Sequence, residues 1–506
     1  MGPTTADTPP RGELDRLDSI EKKESISHNE YASSDPSGLE GQDGKVDIDH
    51  GIDPVLLKRI IRKVDWRLVP TLAAMYCVSL IDRTNLSYAR QANNMWMDTE
   101  LGTKYGNRYS IITAVFFIPY IILEIPSQFG LRRFGARIWL GGAVVIWGII
   151  ELCMGFVTTW SQLAGLRAAL GAFEAALFPG ATYLLACWYP RRQMASRTAF
   201  FYISSAFVAS CTTPLGYAYG LLHRKGNLSG WAWMFVFSGI LTIIVGLIGF
   251  IFLTDVPNKA KFLTEEERAI VNLRIERDRA DSVDDPITWA KVRRYLADWK
   301  LWMYGVWFMS NNLLTYSQAY FLPVILKSMG FDYVGQMLLG TPTYAWTIIP
   351  SIVCARIADN YRGMRAPMVM FNTACAIAGT AMFSKLSMDQ KAARYAGVFL
   401  AVGGANANVG LIISWSQTSL RQQSKRAVSS ALIILWGGIG GILAAVTMLQ
   451  KEAAIGYPTG INFCLGMNAF VFVGAGLLSL YYRMRNRQAD QGKVVLENDE
   501  NFRYQP

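Results

Sequence analysis

Charge is scarce in this chain. Only 17% of its 506 residues are Asp, Glu, Lys or Arg, against roughly 25% in soluble domains. There are three histidines, and the seven cysteines include no Cys-x-x-Cys pair. That leaves neither a zinc ribbon nor a disulfide framework to build on. No Gly-x-x-x-x-Gly-Lys-Ser/Thr loop occurs to cradle nucleotide phosphates, so work driven directly by ATP is not expected. No His-Glu-x-x-His or nucleophile-elbow sequence occurs either. The pattern calls for no enzyme, no cofactor and no metal.

What the chain has instead is apolar residues, 52% of the total, in blocks of about 20, the length a helix needs to cross ~30 Å of hydrocarbon. The blocks predict spans at 66–88, 107–128, 138–157, 162–185, 197–221, 232–253, 302–323, 335–356, 366–384, 394–415, 427–449 and 461–482. Residues 1–50 hold twelve acids against five bases, which leaves 44 of the 49 bases and 26 of the 38 acids beyond them. The bases cluster in every second loop: Lys58 to Lys63, Arg132 to Arg137, Arg191 to Arg197, Arg356 to Arg365, Arg421 to Arg426 and Arg483 to Arg487. Basic loops stay on the cytoplasmic side, so both termini are expected there. A charge excess placed this way belongs to membrane orientation, and no nucleic-acid partner is expected. No cleavable signal is expected, so the first helix serves as its own insertion signal.

Residues 1–58 read as a disordered acidic tail. A first bundle of six spans is expected over 59–255 and a linker over 256–298. A second bundle follows over 299–485, then a tail over 486–506. In the linker, Thr264 followed by Glu265, Glu266 and Glu267 marks a helix start. FGLRRFGAR (129–137) and IADNYRGMR (357–365) share a Gly and an Arg two residues apart, one in each half. The fold class is therefore an all-α membrane protein with twelve transmembrane helices in two pseudo-symmetric six-helix bundles. Secondary carriers are commonly built from such repeats, with the site between them near mid-membrane.

Charge inside a spanning helix costs several kcal/mol unless it is paired or faces water, so each such residue is a candidate for function. The first span carries Asp82-Arg83-Thr84-Asn85 and the fourth carries Arg167 and Glu174. Arg167 and Glu174 lie on one helix face about 10 Å apart. Asp82 and Glu174 are the candidates for binding and releasing a proton. Arg83, with Asn85 and Arg167, is the candidate for holding an anionic substrate, because guanidinium grips a carboxylate with two bonds. Arg167 also serves as a candidate partner for Glu174. Glu124, just before Pro126, is placed to pair with loop arginines at an inner gate. Arg133 and Arg137, with Asp359 and Arg365 in the repeat, complete the gating set. Glu151, alone in the third span, is expected to snorkel outward.

The second half offers no charge at the centre of spans seven, ten, eleven and twelve. It presents Asn311, Asn312, Tyr316, Gln318 and Tyr320 in the seventh span and Asn406, Asn408 and Trp415 in the tenth. Amides and aromatic rings suit a flat or uncharged part of a solute, and they equally suit hydrogen bonds between helices. Gly437, Gly438, Gly440 and Gly441 read as a close-packing stripe.

RAALGAFEAALFPGATYLLACWYPRRQMASR (167–197), LIDRTNLSYA (80–89), LEIPSQ (123–128), WAWMFVFSG (231–239), AKFLTEEER (260–268), YFLPVILKSMGF (320–331) and KRAVSSALII (425–434) together carry a family likeness. Over roughly residues 60–485 the chain resembles the major facilitator superfamily. Within it, the chain is similar to the anion:cation symporter group, in particular the fungal allantoate, nicotinate and pantothenate permeases. The resemblance implies proton-coupled symport of small organic anions by alternating access. It implies Asp82 and Glu174 as protonation sites, with Arg83 and Arg167 binding or orienting the anion. Three departures stand out: Arg132-Arg133 where the superfamily usually has an aspartate, Thr418-Ser419 where similar members have Asn-Asn, and Gly438 where an Asn is usual. The last two lie on the recognition half, so no named permease lends its substrate.

The expected function is symport of protons with a small organic anion such as a monocarboxylate, vitamin or ureide, by a monomer in the plasma membrane. Two other readings stay open: a proton-exchange exporter of a fungal metabolite, and a non-transporting nutrient receptor of the same fold.

Overall fold

A computed structural model describes residues 49–280, 288–361, 363–387, 389–420, 422–497 and 502–506. Residues 1–48 of the expected acidic tail, and Arg362 and Arg421 of the basic loops, lie outside the described residues.

The apolar blocks fold as helices. The first span is Pro54–Glu100, started by Asp53, whose carboxylate accepts from the Val55 amide. It turns at Asn93 and Met95, both with positive φ. The second span is Arg108–Val115 continued by Phe117–Phe134, the third Ala136–Met154, and the fourth Trp160–Glu174 continued by Leu177–Trp188. The fifth is Arg191–Gly220 and the sixth Gly230–Phe252. The seventh is Trp299–Ser328. The eighth runs through Tyr333–Leu338, Gly340–Trp346 and Ile348–Asn360. The ninth to twelfth are Arg365–Lys385, Lys391–Thr418, Gln423–Thr447 and Pro458–Asp490. Nine of these are long and apolar enough to cross a membrane among the described residues. The second, fifth and seventh are diluted by polar residues, yet they are helical in the predicted places. The twelfth helix continues to Asp490, past the boundary at 486, because the polar run RMRNRQAD still propagates as helix once clear of the apolar block.

Helix pairing repeats at an interval of six spans. The first packs on the fifth as the seventh packs on the eleventh, and the third packs on the sixth as the ninth packs on the twelfth. The twelve spans thus form two pseudo-symmetric six-helix halves. Glycine permits the closest approaches: a Cβ at Gly148 would stand 2.9 Å from the Ile243 backbone, and one at Gly246 2.9 Å from the Val145 backbone. The Gly437–Gly441 stripe serves two neighbours. Gly437 and Gly440 meet Phe308, Asn312 and the Met309 carbonyl of the seventh span, while Gly438 and Gly441 meet Ile121 and Phe117 of the second. Small residues at such crossings let backbones approach where lipid gives no hydrophobic drive.

The repeated Gly-x-Arg has a shared geometry. Gly135 (φ 84) and Gly363 (φ 78) both take backbone angles that disfavour a side chain. Arg137 and Arg365 each donate to a carbonyl of another span, Phe250 and Ser414. A Cβ on Gly135 would also stand 2.7 Å from Asp255 Oδ1, the atom that accepts the Arg137 amide at 3.0 Å. Gly135→Ala should therefore destabilise the fold by more than about 1 kcal/mol. A melting temperature equal to wild type, measured on purified protein, would contradict that account.

Between the halves, Thr264 and Glu267 cap the helix Glu265–Ala280 reciprocally: the Glu267 amide donates to Thr264 Oγ1 and the Thr264 amide to Glu267 Oε2. Glu267 also takes Lys63 at 2.5 Å, tying this helix to the first span. Partial burial disfavours the Glu267 charge, but Lys63 and the Thr264 amide outweigh it and hold the carboxyl below its usual range. At the other end, the C-terminal segment folds back beneath the second half. Tyr504 stacks on Tyr482 at 4.4 Å, and its hydroxyl meets Lys300 Nζ at 2.9 Å. Glu497 lies between Lys300 and Lys425.

Candidate functional site

The charged residues of the first and fourth spans converge. Arg83 Nε donates to Glu174 Oε1 at 2.5 Å, and Ser79 Oγ, one turn earlier, donates to the same oxygen at 2.5 Å. Arg83 Nη1 reaches across the seam between the halves to the Tyr316 hydroxyl at 3.1 Å. Its guanidinium carbon stands 5.3 Å from the Phe116 ring centroid and 4.9 Å from that of Tyr120. Tyr316 stacks on Tyr320 and meets Phe117 edge-on. Rings and hydroxyls are what a buried guanidinium needs when its one acid cannot occupy all five N–H groups.

Asp82 faces the other way. It is fully buried inside the first half, where Oδ2 accepts from Trp147 Nε1 at 3.1 Å and from Thr242 Oγ1 at 3.0 Å. Arg167, also buried, donates through Nη1 to the Asp82 backbone carbonyl at 3.2 Å. The sequence expectation of Arg167 as partner of Glu174 is therefore not what the structure shows. Seven residues of helix separate the two by about 10 Å, and Arg83 from the first span reaches Glu174 instead. Asn85 Nδ2 points to Glu151 Oε1 at 3.4 Å.

Glu151 departs from expectation. It does not snorkel outward but is fully buried beneath Asn85 and Ser238. Its discovery was possible from spacing. Asp82 and Asn85, Trp147 and Glu151, and Ser238 and Thr242 are three polar pairs one turn apart, so each puts both members on one helix face. Trp147, Thr242 and Ser79 were missed for the same reason.

The second half contributes less than its polar content suggests. Tyr316 joins the charged cluster. Asn311 is buried and its amide nitrogen lacks a hydrogen-bond partner among the described residues, as do both polar atoms of Gln318. Asn312 lies against Gly437 of the eleventh span. Asn406 donates to Val402 within its own helix, and Asn408 links the tenth span to Thr373 of the ninth. Trp415 is taken by the C-terminal segment: its indole donates to the Gln505 carbonyl at 2.9 Å, and it stacks on Trp307.

The gating candidates divide. Arg365 pairs with Asp359 at 3.3 Å and also donates to Thr418 Oγ1, joining the eighth, ninth and tenth spans. Glu124 is buried, with no ion-pair partner among the described residues, so the expected pairing with loop arginines is not seen there. Arg133 is exposed beside the Phe134 ring, and Arg137 caps Phe250. On the face opposite the termini the two halves touch: Tyr109 donates to the Tyr320 carbonyl at 3.4 Å, the Asn93 amide to Tyr333 at 3.2 Å, and Thr213 meets Thr341. These contacts close that end of the seam beyond Arg83.

The family model described as Major Facilitator Superfamily matches residues 72–445, about three quarters of the chain. The chain belongs to the Major Facilitator Superfamily. Among superfamily relatives, the major facilitator-type transporter hxnP of Emericella nidulans is 28% identical over 453 residues, covering 87% of this chain and 88% of that one. A putative tartrate transporter of Agrobacterium vitis is 28% identical over 416 residues, covering 81% and 89%. Two solved structures share the fold. A bacterial homologue of the human lysosomal transporter Spinster, inward-facing and occupied, superposes with TM-score 0.60 at 14% identity, covering 82% of this chain and 95% of that one. A D-xylose-proton symporter superposes with TM-score 0.59 at 13% identity, covering 81% and 97%. This superfamily member is accordingly a multi-pass membrane transporter of a small molecule and not an enzyme.

Proposed function

We propose that the chain imports a small organic anion together with protons by alternating access, its halves at 59–255 and 299–485 rocking about the seam. One observation carries the reading: Arg83, a buried cation that touches both halves, is held by Glu174. An ionised Glu174 occupies the guanidinium. A protonated Glu174 releases it, and a substrate carboxylate takes the vacated Nε–H together with a second N–H of the fork in a two-pronged pair. The proton and the anion thereby travel together, because each improves the other's binding. Tyr316, Tyr320 and Asn311 line the opposite side for the uncharged part of the solute. Asp82, buried away from the seam, is the second titrating group. Asp359 and Arg365 hold the inner ends of the second half; the basic loops support cytoplasmic termini, and the reading sets the carrier in the plasma membrane. The relative named as a putative tartrate transporter fits an anionic cargo.

A ligand that binds only the folded state raises its stability. Purified protein should therefore melt at a higher temperature with at least one of nicotinate, pantothenate, allantoate or tartrate, and more so at acid pH. Starved cells carrying the chain should take up the same compound faster as external pH falls. Uptake indifferent to pH, for a compound that does stabilise the protein, would falsify the proton-coupled reading.

A further inference from the structure

The first half buries more acid than base. Asp82, Glu151 and Glu174 are 0%, 0% and 1% exposed, and two guanidiniums, Arg83 and Arg167, lie among them. Arg83 belongs to Glu174 at 2.5 Å. That leaves Asp82 and Glu151 with Arg167 alone. Arg167 has spent one N–H on the Asp82 backbone carbonyl, and its buried Nε and Nη2 have no hydrogen-bond partner among the described residues. The groups facing Glu151 are Asp82 and Asn85 from the first span, Arg167 and Glu174 from the fourth, and the hydroxyl of Ser238 from the sixth. Two carboxylates against one arginine in a dry interior leave a net charge whose burial costs far more than holding one proton.

The hydrogen bonds say which acid holds it. Asp82 Oδ2 receives two donated protons, from the Trp147 indole and from Thr242, so it is arranged as an ionised acceptor. Glu151 is arranged differently. Ser238 Oγ stands 3.4 Å from Glu151 Oε1 but 2.8 Å from the Met234 carbonyl. A serine has one proton to give, and the shorter contact takes it. Toward Glu151 the serine therefore presents lone pairs, which suit a carboxylic acid and repel a carboxylate. The remaining oxygens, Glu151 Oε2 and Asp82 Oδ1, are both buried without a hydrogen-bond partner among the described residues, so the two donors on Asp82 Oδ2 and the lone pairs of Ser238 are what tell the two acids apart.

We propose that Glu151 holds a proton in this conformation and exchanges it as part of a unit with Asp82 and Arg167, giving the carrier a third proton-handling carboxyl on the third span. When the proton leaves, Arg167 turns its free N–H groups from the Asp82 backbone to the new Glu151 carboxylate. When a proton arrives at Asp82 instead, Arg167 makes the same move. The consequence for transport rests on the proton-coupled reading above, but the protonation itself is readable without any substrate.

The test is infrared difference spectroscopy of the purified full-length chain in lipid nanodiscs at neutral pH, following the C=O stretch of protonated carboxyls and its shift in D2O. Subtracting the Glu151→Gln spectrum from wild type should leave one such band. Glu151→Asp should keep the band at a displaced position, and it preserves the test if the glutamine variant does not fold. Asp82→Asn should also lose the band, because Glu151 then ionises to balance Arg167. A protonated-carboxyl band unchanged by Glu151→Gln would overturn the proposal, as would a band lost only in Asp82→Asn. If the band is assigned as expected but wild-type vesicles accumulate nothing against a gradient, the proton-coupled reading fails while this assignment stands.

Discussion

Glu174→Gln is expected to abolish concentrative uptake while sparing exchange. Glutamine copies the shape of the protonated acid and can neither ionise nor reclaim Arg83. One pH unit is worth about 1.36 kcal/mol per proton, and 1.4 kcal/mol is a factor of ten. With one proton coupled per anion, a gradient of about two units therefore sustains roughly a hundredfold accumulation in wild-type vesicles. In the variant the ratio should fall to about one, while labelled substrate still equilibrates against unlabelled substrate inside. The variant should also be less stable, since removing one member of a buried ion pair costs roughly 3–5 kcal/mol. Tyr316 and the Phe116 and Tyr120 rings beside Arg83 will soften that loss. Accumulation that persists in well-folded Glu174→Gln protein would remove Glu174 from the coupling step.

Arg83→Lys is expected to weaken substrate binding with a smaller effect on the fold. Lysine restores the charge but not the fork that reaches Glu174 through Nε and Tyr316 through Nη1 together, and it stacks less well on the two rings. A lost charge-assisted hydrogen bond is worth roughly 1.5–3 kcal/mol, so the apparent affinity should drop about ten- to a hundredfold. The readout is the concentration dependence of the thermal shift and of uptake. An unchanged half-saturation concentration would take Arg83 out of the binding site.

Much of the architecture was legible because lipid is a demanding solvent. A helix crossing it must spend about twenty apolar residues, and the twelve blocks advertise themselves. The internal breaks were not legible. Phe116 interrupts the second span inside unbroken apolar sequence, where nothing in side-chain polarity marks a turn, and Ala175-Ala176 interrupts the fourth directly after Glu174.

In the charged cluster, residue identity was readable and pairing was not. Asp82, Arg83, Arg167 and Glu174 stand out because burial makes each of them expensive. Which arginine meets Glu174 depends on the rotation of two helices about their axes, and a linear sequence does not encode that directly. Glu151 was misread because a single charge in an apolar span looks like one that escapes to the surface. Its neighbours Asn85 and Ser238 come from spans 66 and 87 residues away. The sequence leaves Trp415 open between solute recognition and helix contact for a similar reason, since its partner Gln505 lies 90 residues downstream, beyond the last span. Asn406 and Asn408 show the other common outcome, in which a polar residue satisfies its own helix or the next one.

Proton uptake on anion binding measures the linkage at Arg83 and Glu174 most directly. Purified protein in weakly buffered solution with a pH indicator is titrated with whichever carboxylate stabilises it. Wild type should take up close to one proton per anion bound, and Glu174→Gln should bind the anion with no uptake at all. Tight binding by wild type with no proton taken up at any pH would contradict the account.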